Sequence, residues 1–210
     1  MSKRIDIGRH NQRRRTRNDL LTAAARLLKQ GRTLDMDDVA AEAMVSRATA
    51  YRYFPSIEAL LVEAPLDGVV PHPDQVFAAD DESTDPLERI ERAEAALHKA
   101  CYRNEAQLRS MLAASLERTA QEKHSDDVPL RQNRRTPLIE AALAPARDRF
   151  SKPAYDRLCA ALAVLFGTES MIVFQDVLCL DEKAARKTKS WAARTLVAAA
   201  LAESDKPNSR

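Results

Sequence analysis

The segment between residues 35 and 64 reads as three short helices in close succession. Asp35, Ser46 and Ser56 each stand where a side-chain oxygen can accept the free backbone N–H groups at a helix start. Pro55 stops the middle helix, because proline lacks the N–H that a continuing helix needs. The first two helices are separated only by a tight turn. The spacing therefore predicts a helix-turn-helix unit.

The rest of the chain also favours helix over strand. Only four of the 210 residues are glycine, and 45% are hydrophobic, which is enough for a real core. Upstream of the helix-turn-helix, Leu20, Ala24, Leu27 and Leu28 recur at helical spacing, and Gly31 stands where such a helix can end. No stretch has the alternation of a strand. We predict an all-α protein, with an N-terminal three-helix helix-turn-helix domain and a C-terminal helical domain.

Composition also suggests domain boundaries. Pro65, Pro71 and Pro73 and the acidic run at 80–82 mark a change from helical patterning to a connecting segment. The predicted parts are a flexible basic arm (1–12), a helix-turn-helix domain (13–64), a linker (65–85) and a helical body (86–210).

Positive charge is concentrated at the N-terminal end. Residues 1–34 hold ten Lys or Arg against two Asp, a net charge of +8, whereas residues 65–210 carry a net charge of −2. A basic head on a nearly neutral body predicts a polyanionic partner. For residues 1–12, a solvated tail without a partner explains the charge equally well.

The second helix of the helix-turn-helix has side chains suited to a DNA groove. Its hydroxyls can donate to phosphate oxygens, Arg47 and Arg52 can reach bases or phosphates, and Ala48 is small enough to approach a thymine methyl. Ala50 and Phe54 fall on the opposite side, where they can pack on the helices behind. The predicted DNA-binding residues are Arg14, Arg15, Ser46, Arg47, Ala48, Thr49, Tyr51, Arg52 and Tyr53.

The stretch DMDDVAAEAMVSRATAYRYFPSIEALL, preceded by RRRTRNDLLTAAARLL and Gly31, resembles the DNA-binding domain of the TetR (tetracycline-repressor) family. The resemblance implies that Thr49, Tyr51 and Tyr53 contact phosphates and that Arg47, Ala48 and Arg52 lie near bases. It also implies a helical C-terminal body that dimerises and often encloses a small effector. Two residues depart from the family pattern: Met44 replaces the usual turn glycine, and Ile57 replaces a common lysine.

The end of the chain is similar to the last two helices of many TetR-family members, which form a four-helix dimer interface. Close approach of helices is favoured here by Gly167 and an alanine-rich face, and apolar side chains supply area. The predicted interface residues are Gly167, Ile172, Trp191 and Leu196. The alternative is that the same side chains form an ordinary monomer core.

Polar and aromatic residues within the body helices are candidates for lining an effector pocket, although each also fits an ordinary core or surface position. The candidates are His98, Tyr102, Met111, Ser115, Arg118, Tyr155, Phe166 and Phe174. The effector itself is not readable from the sequence.

Other classes of site find little support. Cys101, Cys159 and Cys179 lie in apolar helical stretches without metal-type spacing, so we expect buried, reduced thiols. No cofactor, metal site or catalytic motif is predicted. The longest apolar stretch is too polar to cross a membrane, and we expect a cytoplasmic protein.

Together these features predict a sequence-specific DNA-binding regulator, not an enzyme. It would be a ligand-responsive repressor that acts as a homodimer on a palindromic operator. Two alternatives stay open: a structural DNA binder that tolerates any sequence, and a helical enzyme or ligand carrier with a vestigial DNA-binding domain.

Overall fold

The structure, a computed structural model, describes residues 2–30, 34–121 and 133–204, and within these ranges it contains helices and no strand. The predicted all-α class is confirmed. Backbone contacts divide the chain into two compact units. Unit 1 comprises Met1–Val69 and Ala106–Gln132, and unit 2 comprises Val70–Glu105 and Asn133–Arg210.

Unit 1 is built around the helix-turn-helix. Its α-helices are α1 (Ser2–Lys29), α2 (Met36–Glu42), α3 (Arg47–Tyr53), α4 (Ile57–Glu63) and α7 (Glu105–Gln121, from Ala106 onward), and a 3₁₀ helix at Ala64–Gly68 follows α4. One apolar cluster joins the first four helices, with Leu20 and Leu27 from α1, Val39 from α2, Phe54 after α3 and Leu60 from α4 all buried. Removing this apolar area from water is the main force that holds such short helices together.

A buried ion pair joins the first and fourth helices. The Arg17 guanidinium donates to both carboxylate oxygens of Glu63, at 2.9 and 2.6 Å, and both side chains are almost fully buried. The guanidinium also lies over the Phe54 ring, with Cζ 4.5 Å from the ring centroid. Arg17 was counted in the basic head of the sequence, but this placement makes it a core residue that is not exposed to a polyanion.

Unit 2 is a helical body. Its α-helices are α5 (Pro73–Val76), α6 (Pro86–Arg103), α8 (Arg135–Leu143), α9 (Lys152–Leu165), α10 (Thr168–Ile172) and α11 (Glu182–Ser204). A 3₁₀ helix at Ala144–Arg149 follows α8, and a π-helix at Val173–Val177 follows α10. The core lies where α6 packs on α8 and α11, and where α9 packs on α8 and α11; its buried side chains include Ile90, Leu97, Ile139, Leu162 and Val197.

Part of the predicted linker is bound to this body. Buried Arg89 donates to the carboxylate of Asp81 at 2.8 Å and to the backbone oxygens of Ala142 and Ala141 at 3.0 and 3.1 Å. Its guanidinium also lies 4.2 Å from the centroid of the Phe77 ring. Residues 77 and 81 are thus structural parts of unit 2 and do not form a free connection.

Helices α9 and α10 do not form one continuous helix, because the chain breaks at Gly167. This glycine has φ of +109°, a conformation that L side chains rarely adopt. A Cβ atom here would also lie 3.0 Å from Nη2 of Arg135. The glycine therefore permits the change of direction between α9 and α10, which is a different role from the helix–helix contact proposed for it.

Other boundaries also differ from the sequence expectation. Residues 2–12, predicted as a flexible arm, continue α1 as helix. The predicted helix end at Gly31 lies outside the described residues. Cys101 is buried and Cys159 half-buried, but Cys179 is exposed, with φ of +51°, just after the π-helix, so the expectation of three buried thiols is wrong for Cys179.

Within the described ranges, no single helix is long and apolar enough to cross a membrane. The pair Lys152–Leu165 and Thr168–Val177, bent by 48°, passes that test only when its two members are taken together. The described residues also contain no group of three or more His, Cys, Asp or Glu side chains that could hold a metal ion.

Candidate nucleic-acid interface and effector cavity

The helix that precedes the turn is fixed at its start by a reciprocal pair of side-chain contacts. Asp35 Oδ1 accepts hydrogen bonds from the backbone N–H groups of Asp37 and Asp38, both at 2.9 Å. In return, Asp38 accepts one from the backbone N–H of Asp35 at 3.3 Å. This capping box satisfies the free N–H groups at the helix start. The cap predicted at Asp35 is present in the structure.

The turn between α2 and α3 places a methionine in a left-handed conformation. Met44 has φ of +55°, and its N–H donates to Ala41 O at 3.1 Å while Val45 N–H donates to Ala40 O at 2.9 Å. This pair of bonds is the Schellman motif, in which the left-handed position is usually glycine. The Met44 side chain is 91% exposed, so it gains no packing in return for the backbone strain.

The recognition helix α3 begins at Ser46, whose Oγ accepts from the backbone N–H of Thr49 at 3.1 Å. The helix presents two faces. Ala50 is buried in the cluster with Phe54, as the sequence indicated. Among the predicted DNA-binding residues, the exposed side chains on or next to α3 are Ser46, Arg47, Ala48, Tyr51 and Arg52, and Thr49 is half-buried.

Arg47 is held by two neighbours on this exposed face. Its Nη1 donates to Asp37 Oδ2 at 2.7 Å, and its guanidinium lies 5.5 Å from the centroid of the Tyr51 ring. The contact with Tyr51, followed by the charge of Asp37, raises the pKa of Arg47 above its ordinary value. Asp37 was not among the predicted site residues; its position in the first turn of α2, across the turn from Arg47, was the available signal.

Tyr53, predicted with Thr49 and Tyr51 to contact phosphates, does not lie on the exposed face of α3. Its side chain is only 4% exposed, because it faces the same apolar cluster as Ala50. Tyr51, two residues earlier, faces solvent. A two-residue step along a helix rotates the side chain by about 200°, so Tyr51 and Tyr53 lie on opposite faces.

The remaining predicted contacts lie on α1 and α4. Arg15 is exposed and Arg14 half-buried on α1. Ile57, in the position where the family commonly has lysine, is partly buried and packs against the cluster. The substitution thus exchanges a candidate phosphate contact for apolar packing.

Comparison with protein families decides the identity of this domain. Residues 20–64, which span the end of α1 through α4, match the family described as "Bacterial regulatory proteins, tetR family". Residues 20–64 thus carry the DNA-binding domain of the tetR family. The matched domain implies a DNA-binding transcription regulator, and the matched family consists of regulators and generally not of enzymes. No curated protein and no solved structure matches the chain.

Unit 2, which lies outside the matched residues, contains a cavity of about 890 Å³. It is lined by the C-terminal half of α6, by Gln175 of the π-helix and by the start of α11. Two of the predicted pocket residues, His98 and Tyr102, line it. The sequence did not single out the others, because charged residues such as Lys99 and Arg186 are also typical of a solvated helix face.

The other predicted pocket residues whose side chains the structure describes do not line this cavity. Phe166 is buried in the core of unit 2, and Phe174 is half-buried on the π-helix. Tyr155 packs beneath the guanidinium of Arg147, whose Cζ is 4.0 Å from the ring centroid. Met111 and Ser115 are buried on α7 in unit 1, and the side chain of Arg118 lies outside the described part.

The four predicted interface residues occupy different environments. Trp191 on α11 is 68% exposed, which does not fit the alternative of an ordinary monomer core for this residue. Ile172 and Leu196 are half-buried. Gly167 is half-buried beside Arg135, where its backbone conformation explains its presence.

Proposed function

We propose that this protein is a sequence-specific repressor of the TetR family that binds a palindromic operator as a homodimer and is released by a small ligand. The observation that carries the proposal is the exposed face of α3, where Arg47, Tyr51 and Arg52 project from a helix held by a capped turn. Arginine is the side chain that most often reads guanine in the major groove, and a tyrosine hydroxyl suits a phosphate oxygen.

Selection of bound duplexes from a random DNA pool tests sequence recognition. We expect enrichment of a two-fold symmetric sequence whose half-sites are about 34–36 Å apart, or a multiple of one helical turn. Arg52→Ala should weaken binding to the selected sequence. Arg157→Ala, which removes the same charge from an exposed position in unit 2, should not. Equal recovery of all sequences would instead favour the structural, sequence-tolerant binder.

Exposed apolar side chains in unit 2 support the homodimer. Val164 on α9, Val177 on the π-helix, Leu178 after it and Trp191 on α11 are all large, apolar and exposed. Exposed apolar side chains of this size, when they form a contiguous patch, mark a protein–protein contact more often than free surface. A homodimer would cover such a surface with its own copy, and two copies would supply the two recognition helices that a palindrome needs.

The single tryptophan gives a direct test of the dimer. In sedimentation experiments we expect a dimer at micromolar concentration, with Trp191 emission shifting to longer wavelength as dilution separates the subunits. Trp191→Arg should yield monomers. Leu116→Arg, which alters an exposed apolar residue on α7 in unit 1, should leave the dimer intact. A wild-type protein that is monomeric at micromolar concentration would contradict the proposal that a homodimer binds a palindromic operator.

The cavity in unit 2 supports the response to a ligand. A ligand can release DNA only if it binds the DNA-incompetent state better than the DNA-ready state. For a dimer on two half-sites, that difference would be a changed separation of the two recognition helices. A ligand that fills the cavity should weaken operator binding, and by linkage operator DNA should weaken ligand binding by the same factor.

A further inference from the structure

His98 lines the cavity in unit 2 and is only 3% exposed. Neither ring nitrogen has a hydrogen-bond partner among the described residues. The nearest carboxylate oxygens are Glu94 Oε1, 3.7 Å from Nδ1, and Glu182 Oε1, 3.6 Å from Nε2. Both distances exceed hydrogen-bond length. A buried imidazole with two unmet nitrogens costs folding free energy, which a ligand that pairs with them would recover.

A second buried polar group, the Tyr102 hydroxyl, lies beside His98. The Tyr102 ring stacks on the His98 ring, with centroids 4.3 Å apart, and its hydroxyl is buried without a partner in the described part of the chain. Tyr102 also lines the cavity. His98 and Tyr102 together therefore offer one N–H donor, one nitrogen acceptor and one hydroxyl that can act as either.

The surroundings disfavour a positive charge at this point. Burial, followed by the charges of Lys189 and Arg186, lowers the pKa of His98 to about 4, so the imidazole is neutral at physiological pH. Burial likewise raises the pKa of the Tyr102 hydroxyl and keeps it neutral. A cationic ligand group would experience the same repulsion from Lys189 and Arg186, which offsets its attraction to Glu94 and Glu182.

A negative charge is disfavoured as well. A ligand carboxylate at the two nitrogens would approach Glu182 and Glu94. The Glu94 charge is already paired with buried Lys189, whose Nζ lies 2.7 Å from Glu94 Oε1. A neutral imidazole supplies only one donor, whereas a carboxylate accepts from several. The His98 nitrogens and the Tyr102 hydroxyl therefore match an uncharged ligand group that both donates and accepts hydrogen bonds.

We infer that the His98 cavity binds a small molecule whose inner end is an uncharged group that both donates and accepts hydrogen bonds, such as a carboxamide or a hydroxyl. The rest of the lining balances its charges: the cationic residues are Lys99, Arg103 and Arg186, and the anionic residues are Glu105, Asp181 and Glu182. The outer part of the cavity therefore favours neither sign of ligand charge. The inference rests on the proposed ligand response and names the chemistry of its ligand. It assigns His98 and Tyr102 as the residues that contact the ligand.

A series of benzene derivatives that differ only in the head group tests the inference on the full chain. Benzamide and benzyl alcohol carry uncharged heads, benzoate is anionic and benzylamine is cationic. Binding is followed through the imidazole nitrogen resonances of His98, without DNA. We expect benzamide or benzyl alcohol to shift these resonances, with affinity at least about tenfold above that of benzoate and benzylamine.

Two variants separate a ligand contact from a structural role. His98→Phe keeps an aromatic ring but removes both nitrogens. The neutral ligand should therefore bind at least about tenfold more weakly, measured from the shift of the Tyr102 resonances during ligand titration. The midpoint of thermal unfolding of the free protein should not fall. His72→Phe makes the same change at an exposed position outside the cavity and should alter neither quantity.

The inference is overturned if a charged head binds best, if His98→Phe leaves neutral-ligand binding unchanged, or if no member of the series binds at about 10 mM. Failure of the proposed regulatory function would be seen separately. In that case neutral ligands would still bind at His98, but operator affinity would not respond to them.

Discussion

Replacing Met44 with glycine should stabilise the DNA-binding unit. Met44 occupies the left-handed position of the turn between α2 and α3, with φ of +55°. The substitution leaves the two backbone hydrogen bonds of the turn in place, since both are made by N–H and carbonyl groups. No packing is lost, because the methionine side chain is 91% exposed.

The size of the gain follows from two opposing terms. A left-handed L-residue costs roughly 1–2 kcal/mol, which glycine avoids. Glycine adds about 0.4–1 kcal/mol of conformational entropy to the unfolded chain, which favours unfolding. The free energy of unfolding should therefore rise by about 1 kcal/mol. Met44→Asn should also stabilise, because asparagine tolerates this conformation better than most L-residues.

Urea unfolding followed by circular dichroism measures the effect, and Met44→Ala is the matched control. Alanine also removes the long side chain but keeps the strained backbone, so it should not produce the gain seen with glycine. If alanine stabilises as much as glycine, the exposed methionine side chain is the cause and the backbone argument is wrong. A less stable glycine variant would refute the argument altogether.

Other perturbations address the core, the interface and the helix break. Arg17→Met should destabilise unit 1 by about 3–5 kcal/mol, because buried Glu63 would lose its ion pair with Arg17, and adding Glu63→Leu should restore much of the loss in urea unfolding. Tyr51→Phe should weaken binding to all DNA sequences alike in gel-shift titrations, since a phosphate contact positions without specifying; a changed sequence preference would argue against that role. Operator affinity should fall about 10³–10⁵-fold between 50 and 200 mM salt if the dimer makes about 6–10 phosphate contacts, and a flat response would contradict DNA binding. Gly167→Ala should lower the thermal stability of unit 2 through strain of about 1–3 kcal/mol and contact with Arg135, while sedimentation of the folded variant should still give a dimer.

Local signals in the sequence predicted the helix-turn-helix well. The caps at Asp35, Ser46 and Ser56 all form, because a cap depends on residues within one helical turn of it. The buried positions Ala50 and Phe54 followed from helical spacing alone. The family match over residues 20–64 covers the same segment.

Features that depend on distant residues were missed. Arg17 and Glu63 are 46 residues apart, and Arg17 was counted with the basic head, although it shares the α1 face of Leu20 and Leu21. Gly167 was interpreted by its size, whereas its backbone conformation is what the fold uses. The cavity joins α6 to residues near the start of α11, and no pattern within either segment predicts their meeting.

The division of the chain into two units has a consequence for modularity. The chain enters unit 2 at Val70, goes back to unit 1 at Ala106 and enters unit 2 again at Asn133. Neither unit is therefore a single continuous stretch of chain. A recombination event with one crossover near residue 70 would exchange α1 through α4 but leave α7 from the original parent. Chimeras that combine α1 through α4 of this chain with another regulator's helical body therefore need α7 to be transferred together with them.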